Sequence, residues 1–205
     1  GTNISGTNNT ALGLVALRVA TGRDNVSVGS QSMFNTTTGV ENTAVGLAAM
    51  YNNTTGQSNS AFGDEALRKN VSGSFNTAVG QYALYEATDS LNVAVGFNAL
   101  NYNLNTNSGK GNTAVGTEAG SANLTGSNNT FFGRNAGKVG GTSSGLTNAT
   151  AIGYDAQVTA SNSMSLGNGA NVGIGTTAPA SKLDVVGAGR FSDALNAGSA
   201  TGTGV

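Results

Sequence analysis

The nine residues NTAVGQYAL, Asn76–Leu84, decide the fold, because the chain repeats them with small changes over most of its length. Close copies are NTALGLVAL (Asn9–Leu17), NTAVGLAAM (Asn42–Met50), NSAFGDEAL (Asn59–Leu67), NVAVGFNAL (Asn92–Leu100) and NTAVGTEAG (Asn112–Gly120). A recurring unit of this kind is typical of a stack of similar turns, in which each turn buries its apolar side against its neighbours.

The glycine in the middle of each unit marks the period of the repeat, and we call it the anchor glycine. The intervals between anchors range from 14 to 20 residues and centre on about 17, with insertions at Asn101–Lys110 and Lys138–Leu146. The sequence therefore predicts about ten coils. The anchors are Gly13, Gly29, Gly46, Gly63, Gly80, Gly96, Gly116, Gly133, Gly153 and Gly167.

The three residues before the anchors alternate in size, as in Thr77-Ala78-Val79, with Phe131 the one large residue at the small position. Short alternating segments that are rich in β-branched residues and bounded by Asn and Gly are typical of strands. Helices are disfavoured, because glycine and asparagine signals break each unit before a helix of useful length could form. We therefore predict an all-β fold, a parallel β-solenoid with a repeat of about 17 residues.

Alternation places the small residue on one face of each strand and the large residue on the other. We assign the large residues before the anchors to the coil interior: Leu12, Val28, Val45, Phe62, Val79, Val95, Val115, Phe132, Ile152 and Leu166. The small residues would form a flat face that lets a partner backbone approach closely: Ala44, Ala61, Ala78, Ala94 and Ala114. Because two or three large side chains per coil hardly offset the cost of ordering it, we expect closed homo-oligomers that bury this face.

The pattern changes towards the C-terminus. From Gly116 onward the leucine four places after the anchor is lost, which predicts a change of coil type within one solenoid shaft of residues 1–167. Residues 168–193 contain the single proline, Pro179, and abandon the repeat, so we interpret them as a capping or junction segment. Residues 194–205 are rich in Gly, Ala and Thr and are expected to form a flexible tail.

The composition excludes several classes of partner. Charged residues make up 9% of the chain and the net charge is −1, so no basic patch is available for nucleic acid or anionic lipid. Cysteine and histidine are absent, which excludes disulfides, thiolate metal sites and a histidine base. No apolar run approaches the roughly 18 residues of a membrane span. We expect no cofactor, no nucleic acid and no membrane insertion.

No motif predicts an active site. The segment Gly141–Gly145 matches G-x-S-x-G, but without histidine its serine has no triad partner within the chain. The segment Ser108–Gly111 resembles the end of a phosphate loop but lacks the first glycine and the final Ser or Thr. The carboxylates are scattered, although a glycosidase pair assembled between chains stays open as an alternative. We therefore expect a protein that is not an enzyme.

Aromatic residues outside the core pattern are candidates for stacking on sugars, or for covering coil edges and the grooves between chains: Tyr82, Tyr85, Phe97 and Tyr102. Solenoids often carry binding residues in the loops that interrupt their repeats. The insertion Asn101–Lys110 is thus our candidate for a protruding receptor-contact loop, with Tyr102 and Lys110 as its contact residues.

Parts of the chain resemble known fibre proteins. NATAIGYDAQV (148–158) and NSMSLGNGANV (162–172) resemble head repeats of trimeric autotransporter adhesins, although alanine replaces the serine of that motif after the anchor. The NTAVGxxAL units resemble repeats of bacteriophage tail fibres, and Val172–Phe191 is similar to the segment that precedes a self-cleaving chaperone there. The resemblance implies parallel β-rolls assembled as a homotrimeric fibre.

These observations predict a fibre segment for attachment to a host cell surface. The expected form is the shaft or receptor-binding region of a phage tail fibre, in the virion or otherwise extracellular, which acts by surface contacts alone. Its expected partners are two further copies of the chain and a host surface glycan or outer-membrane receptor. The alternatives are a trimeric cell-surface adhesin of a bacterium and a tailspike-type enzyme that degrades polysaccharide at an inter-chain site.

Overall fold

The computed structural model describes residues 6–101, 110–138 and 145–187, and these residues form strands and turns without any helix. Strands β1 to β10 form one parallel sheet in sequence order, and β11 pairs with β12 in a second, two-stranded sheet. The strands are β1 (Thr10–Leu12), β2 (Val26–Val28), β3 (Thr43–Val45), β4 (Ser60–Phe62), β5 (Thr77–Val79), β6 (Val93–Val95), β7 (Thr113–Val115), β8 (Thr130–Phe132), β9 (Thr150–Ile152), β10 (Met164–Leu166), β11 (Val172–Ile174) and β12 (Leu183–Val185).

Successive strands pair in register, with Ala61 opposite Ala78 and Phe62 opposite Val79. The predicted parallel β-solenoid with its spacing of about 17 residues is therefore confirmed. It has about eight complete turns instead of the ten predicted from the anchors. The inward position of β10, Ser165, is only partly buried, and Ala170, at the corner position after Gly167, is exposed, whereas Ala156 after β9 is 0% exposed.

The alternation along each strand is as predicted, but the assignment of its two faces was wrong. The small residues lie inside the coil of a single chain: Ala44, Ala61, Ala78, Ala94 and Ala114 are each 0% exposed and cannot form an inter-chain face. The large residues point outward instead of forming the core. Leu12, Phe62, Val79, Phe132, Ile152 and Leu166 are 37–67% exposed, and Val28, Val45, Val95 and Val115 are partly exposed.

The coil is too thin to hold large residues on its strands. In the second coil the Ser27 hydroxyl donates a hydrogen bond to the Ser32 carbonyl at 2.9 Å, so the strand faces the opposite corner directly. Small residues are needed on the strand and at the facing position of the corner. The next residue of the corner, a leucine or methionine that we call the corner leucine, fills the remaining interior. These interior residues are Leu17, Met33, Met50, Leu67, Leu84 and Leu100, each exposed by 2% or less.

A ladder of buried asparagines closes each coil. In the second coil, the side-chain oxygen of Asn25 accepts from the backbone N–H of Asn42 at 3.0 Å. Its amide nitrogen donates to the carbonyl of Gly39 at 2.9 Å, which ties the start of the strand to the end of the coil. The same position carries asparagine in eight consecutive repeats: Asn9, Asn25, Asn42, Asn59, Asn76, Asn92, Asn112 and Asn129.

The anchor position requires glycine for two reasons. Gly80 has a φ of 128°, a value that residues with a side chain rarely adopt. A Cβ at this position would also lie 2.7 Å from the carbonyl group of Gly96 in the next coil. The anchors therefore stack backbone on backbone along the sheet. Corner residues with positive φ, such as Leu84 at 52°, turn the chain after each anchor.

The loss of the corner leucine at Gly120 and Gly137 has a packing origin. Gly120 and Gly137 replace the corner leucine, and a Cβ on either would collide with the ring of Phe131 at 2.5 Å and 2.1 Å respectively. Phe131 replaces the small residue of its strand and is 2% exposed. One large ring on the strand thus fills the space that two corner leucines leave empty.

The chain divides into two compact units, with the boundary in the sequence between Asn168 and Gly169. In the second unit, β11 and β12 pair in parallel, and the side chain of Asn171 donates to the Pro179 carbonyl at 3.1 Å. The backbone N–H of Ala180 donates to the Asp184 carboxylate at 2.9 Å. The tail predicted for residues 194–205 lies outside the described residues.

Candidate functional site

The outward side of the ten-stranded sheet is an apolar surface that we call the outer sheet face. It consists of the first and third residues of β1 to β10, and none of these residues is charged. The third residues are all large and apolar, and most of the first residues are Thr or Val. Nine steps of about 4.8 Å make this face roughly 43 Å long, and its area is on the order of 400 Å².

Strand register explains why this surface is continuous. Because each third residue pairs with the third residue of the next strand, as in Val79 with Val95, the apolar side chains form an unbroken row. When another surface covers the exposed leucine, phenylalanine and isoleucine side chains of such a row, the removal of apolar area from water lowers the free energy. A contiguous apolar patch of this size equals the largest patch of a typical monomer, and such a patch often has a function.

A second feature runs along the corner of the first five coils, where the fifth residue after each anchor is aromatic or arginine. The guanidinium of Arg18 lies 5.0 Å from the ring centre of Phe34, which stacks on Tyr51 at 5.0 Å between ring centres. Arg68 contacts Tyr51 at 5.4 Å and donates to the Tyr85 hydroxyl at 2.9 Å. This cation–aromatic ladder ends at Tyr85 and fixes the position of its ring.

At the end of the ladder, two neighbouring coils line an open cleft of about 360 Å³ that we call the aromatic cleft. The rings of Tyr82 and Tyr85 meet at 79° with their centres 5.7 Å apart, and the rings of Tyr82 and Phe97 meet at 68° and 6.3 Å. None of the three rings stacks face to face with another. The lining residues are Tyr82, Tyr85, Glu86, Phe97, Asn98 and Asn101.

The polar groups of the cleft are held in place from within the chain. The Lys69 ammonium donates to both carboxylate oxygens of Glu86, at 2.7 and 2.8 Å, and this hydrogen bonding raises the pKa of Lys69. The Asn101 amide donates to the Asn98 side-chain oxygen at 2.8 Å. The side-chain oxygen of Asn101 is buried and has no hydrogen-bond partner among the described residues.

The structure brings together three of the four aromatic residues that the sequence marks as outside the core pattern, Tyr82, Tyr85 and Phe97. Tyr102 lies outside the described residues, and Lys110 is exposed with its carbonyl accepting from the Asn128 N–H. The receptor-contact loop therefore stays a prediction. The sequence reasoning missed Glu86, Asn98 and Asn101, although Glu86 directly follows Tyr85 and Asn98 directly follows Phe97; stacking of the two coils brings them to one site.

The described part of the chain contains no cluster of three or more acidic residues arranged to hold a metal ion. No helix in these residues has the length and hydrophobicity that crossing a membrane requires. Most of the G-x-S-x-G segment, residues 141–144, lies outside the described ranges.

Comparisons of the chain with protein-family models, with curated proteins and with solved structures found no match.

Proposed function

We propose that the chain is a segment of a homotrimeric attachment fibre of the phage tail-fibre type. The observation that carries this proposal is the outer sheet face, an uncharged apolar row that follows the whole ten-stranded sheet. A single chain leaves this row in water at a cost that association would remove. The fibre would act by surface contacts, without chemistry, in a virion or otherwise outside the cell.

A second copy of the chain suits this face better than an unrelated partner does. The row repeats at the strand spacing, so an identical row offers the same apolar side chains at the same intervals over roughly 43 Å. Its strands expose only two side chains each, which makes a stripe narrow enough for three copies to meet about one axis. The resemblance to trimeric fibre repeats supports three copies.

Association through the sheet would leave the corners and the aromatic cleft free for other contacts. Phe75 is 60% exposed at one corner, and the cation–aromatic ladder follows another. We propose a host surface glycan or outer-membrane receptor as the outer partner of the fibre. Weak contacts with a complementary receptor surface, repeated on three chains, would then suffice for attachment, because linked sites bind with a higher overall affinity than one site alone.

Single cysteines test the assembly, since the natural chain has none. Val79→Cys lies on the outer sheet face, and Thr55→Cys lies on an exposed turn away from the sheet. Under mild oxidation we expect covalent pairs from Val79→Cys and none from Thr55→Cys at the same concentration. Equal cross-linking of both variants, or none of either, would contradict an interface at the sheet.

Co-sedimentation with intact bacteria of different surface glycans tests attachment. We expect the assembled protein to bind some strains, and pretreatment of those cells with periodate or protease to identify a glycan or protein receptor. The supernatant should contain no newly released oligosaccharide. Release of sugar by the wild-type chain would instead support the polysaccharide-degrading alternative.

A further inference from the structure

We propose that the aromatic cleft binds a neutral pyranose sugar. This inference rests on the proposed attachment function and assigns it a ligand class and a site. The cleft joins the coils that carry β5 and β6 and is lined by three aromatic rings, one carboxylate and two amides. A volume of about 360 Å³ lies near the lower end of the range for small-molecule sites.

The rings provide surfaces for the C–H groups of a sugar. An aromatic face carries partial negative charge and attracts the partially positive hydrogens on the apolar side of a pyranose ring. Phe97 is 42% exposed, and no two of the three rings cover each other face to face. Two edge contacts and the bond from Arg68 hold the rings in place, so a ligand loses little affinity to ordering them.

The cleft is a local departure from the repeat. The position of Tyr82 is occupied by Ala48 and Glu65 in the two preceding coils, and the position of Phe97 is occupied by Thr117 in the following coil. The solenoid forms its turns with any of these residues, because Ala48 and Glu65 adopt the same positive φ as Tyr82. Aromatic residues at both places are therefore not required by the fold.

The polar groups match sugar hydroxyls. The side-chain oxygen of Asn101 is buried without a partner among the described residues, and a buried acceptor without a donor is costly. The oxygen has no surface open to the cleft in the unbound chain, so a sugar hydroxyl would satisfy it after rotation of the Asn101 side chain. The Glu86 oxygens each receive one bond from Lys69 and can accept another, and the Asn98 amide can donate.

The charges select a neutral sugar over an acidic one. None of the described residues that line the cleft is cationic, and the nearby Lys69 is already paired with the one carboxylate among them, that of Glu86. The negative charge of a uronate, sialate or phosphate group would lie near the Glu86 carboxylate, and no unpaired cation lies among the described lining residues to balance it. The other conceivable occupant, a side chain from a second copy of the chain, is an outcome of the test below.

Saturation-transfer NMR with neutral methyl glycosides (gluco, galacto, manno and N-acetylglucosamine) and with glucuronic and sialic acid as acidic probes tests the proposal on the assembled wild-type protein. We expect binding of at least one neutral glycoside and of neither acid. Tyr82→Ala and Phe97→Thr, which install residues that other coils carry, should each weaken binding roughly tenfold. Phe75→Ser, an exposed aromatic outside the cleft replaced by the residue of the preceding coil, should leave binding unchanged.

Binding of the acids alone, no binding of any neutral probe, or an equal loss in Phe75→Ser would overturn the proposal. The molar mass and the cell binding of the same variants separate this outcome from failure of the attachment function. If Tyr82→Ala keeps both the trimer and full cell binding, the cleft is not the receptor site and the fibre proposal stands. If Tyr82→Ala loses the trimer while Phe75→Ser keeps it, the cleft belongs to the chain interface and the sugar site is rejected.

Discussion

Phe131 occupies a strand position at which the other coils carry alanine or serine, and glycines in two successive coils make room for its ring. Large and small residues are exchanged between strand and corner, so one buried ring lies where other coils place leucines. The sequence shows both the large Phe131 on the strand and the two glycines at the corners. Only the contact of the ring with those glycines explains why the two changes occur together.

Replacing this ring should be costly and partly reversible. Phe131→Ala is expected to lower the free energy of unfolding by about 3–5 kcal/mol, because a cavity is left between two coils. Adding Gly120→Leu and Gly137→Leu to Phe131→Ala should recover part of the loss, since Leu84 and Leu100 hold the same positive φ at this corner. The same two leucines in the wild-type background should destabilise the protein. Urea unfolding at one protein concentration measures all three, and equal effects of the leucines in both backgrounds would contradict the exchange.

An anchor glycine should tolerate no side chain. Gly80→Ala is expected to lower the free energy of unfolding by about 3 kcal/mol or more, because it adds backbone strain at a φ of 128° to a collision with Gly96. Gly145→Ala is the control, since among the described residues its Cβ would have only Thr125 within 4 Å, at 3.7 Å. Thermal unfolding of both variants gives the comparison, and a stable Gly80→Ala protein would refute the close stacking of the anchors.

At the scale of the coil, the strands, their order and their spacing could be predicted, because alternation and period are written directly in the repeat. Which face lies inside could not. Alternation places Thr77 and Val79 on one face of the strand and Ala78 on the other. It does not say which of the two faces lies inside the coil. The usual preference for large residues inside failed here, because the corner residue Leu84 already fills a coil that is narrow at Ala78.

The asparagine ladder was also missed, since asparagine between strands is normally a turn signal. Its recurrence at one position through eight repeats was the available clue, because a turn seldom demands one residue type so strictly. Asn25, Asn53 and Asn70 each begin an N-x-S/T sequence, the acceptor motif for N-linked glycans, and at 0% exposure all three are closed to modification in the folded chain.

Removing one step of the ladder should weaken the coil. Asn25→Ala takes the acceptor from the buried Asn42 N–H and the donor from the Gly39 carbonyl, so we expect a loss of about 2–4 kcal/mol in unfolding free energy. Asn52→Ala, at a partly exposed side chain that accepts from Asn35, should cost less than about 1 kcal/mol. Urea unfolding of the two variants compares them, and a similar cost for both would argue against a special role of the ladder.

At the scale of the whole molecule, the aromatic cleft shows what sequence reasoning could not reach. Tyr82, Tyr85 and Phe97 stood out as exceptions to the repeat, but their meeting with Glu86, Asn98 and Asn101 depends on how two coils stack. The outer sheet face likewise follows from the corrected burial, which leaves the large residues available for contacts with other chains.

Charges on the outer sheet face should separate the chains without unfolding the coils. Val95→Asp combined with Val115→Asp places two carboxylates on partly exposed positions of adjacent strands, so a single chain tolerates them better than an apolar interface does. We expect a shift from trimer towards monomer with β-structure largely kept. Thr55→Asp on an exposed turn is the control and should stay trimeric, as judged by light scattering and circular dichroism.

Sedimentation equilibrium of the unmodified chain at micromolar concentration tests the central claim most directly, because the outer sheet face has no other role in the proposed fibre. We predict a single species with three times the chain mass of 20.1 kDa. A stable, folded monomer of 20.1 kDa under the same conditions would contradict the proposed assembly.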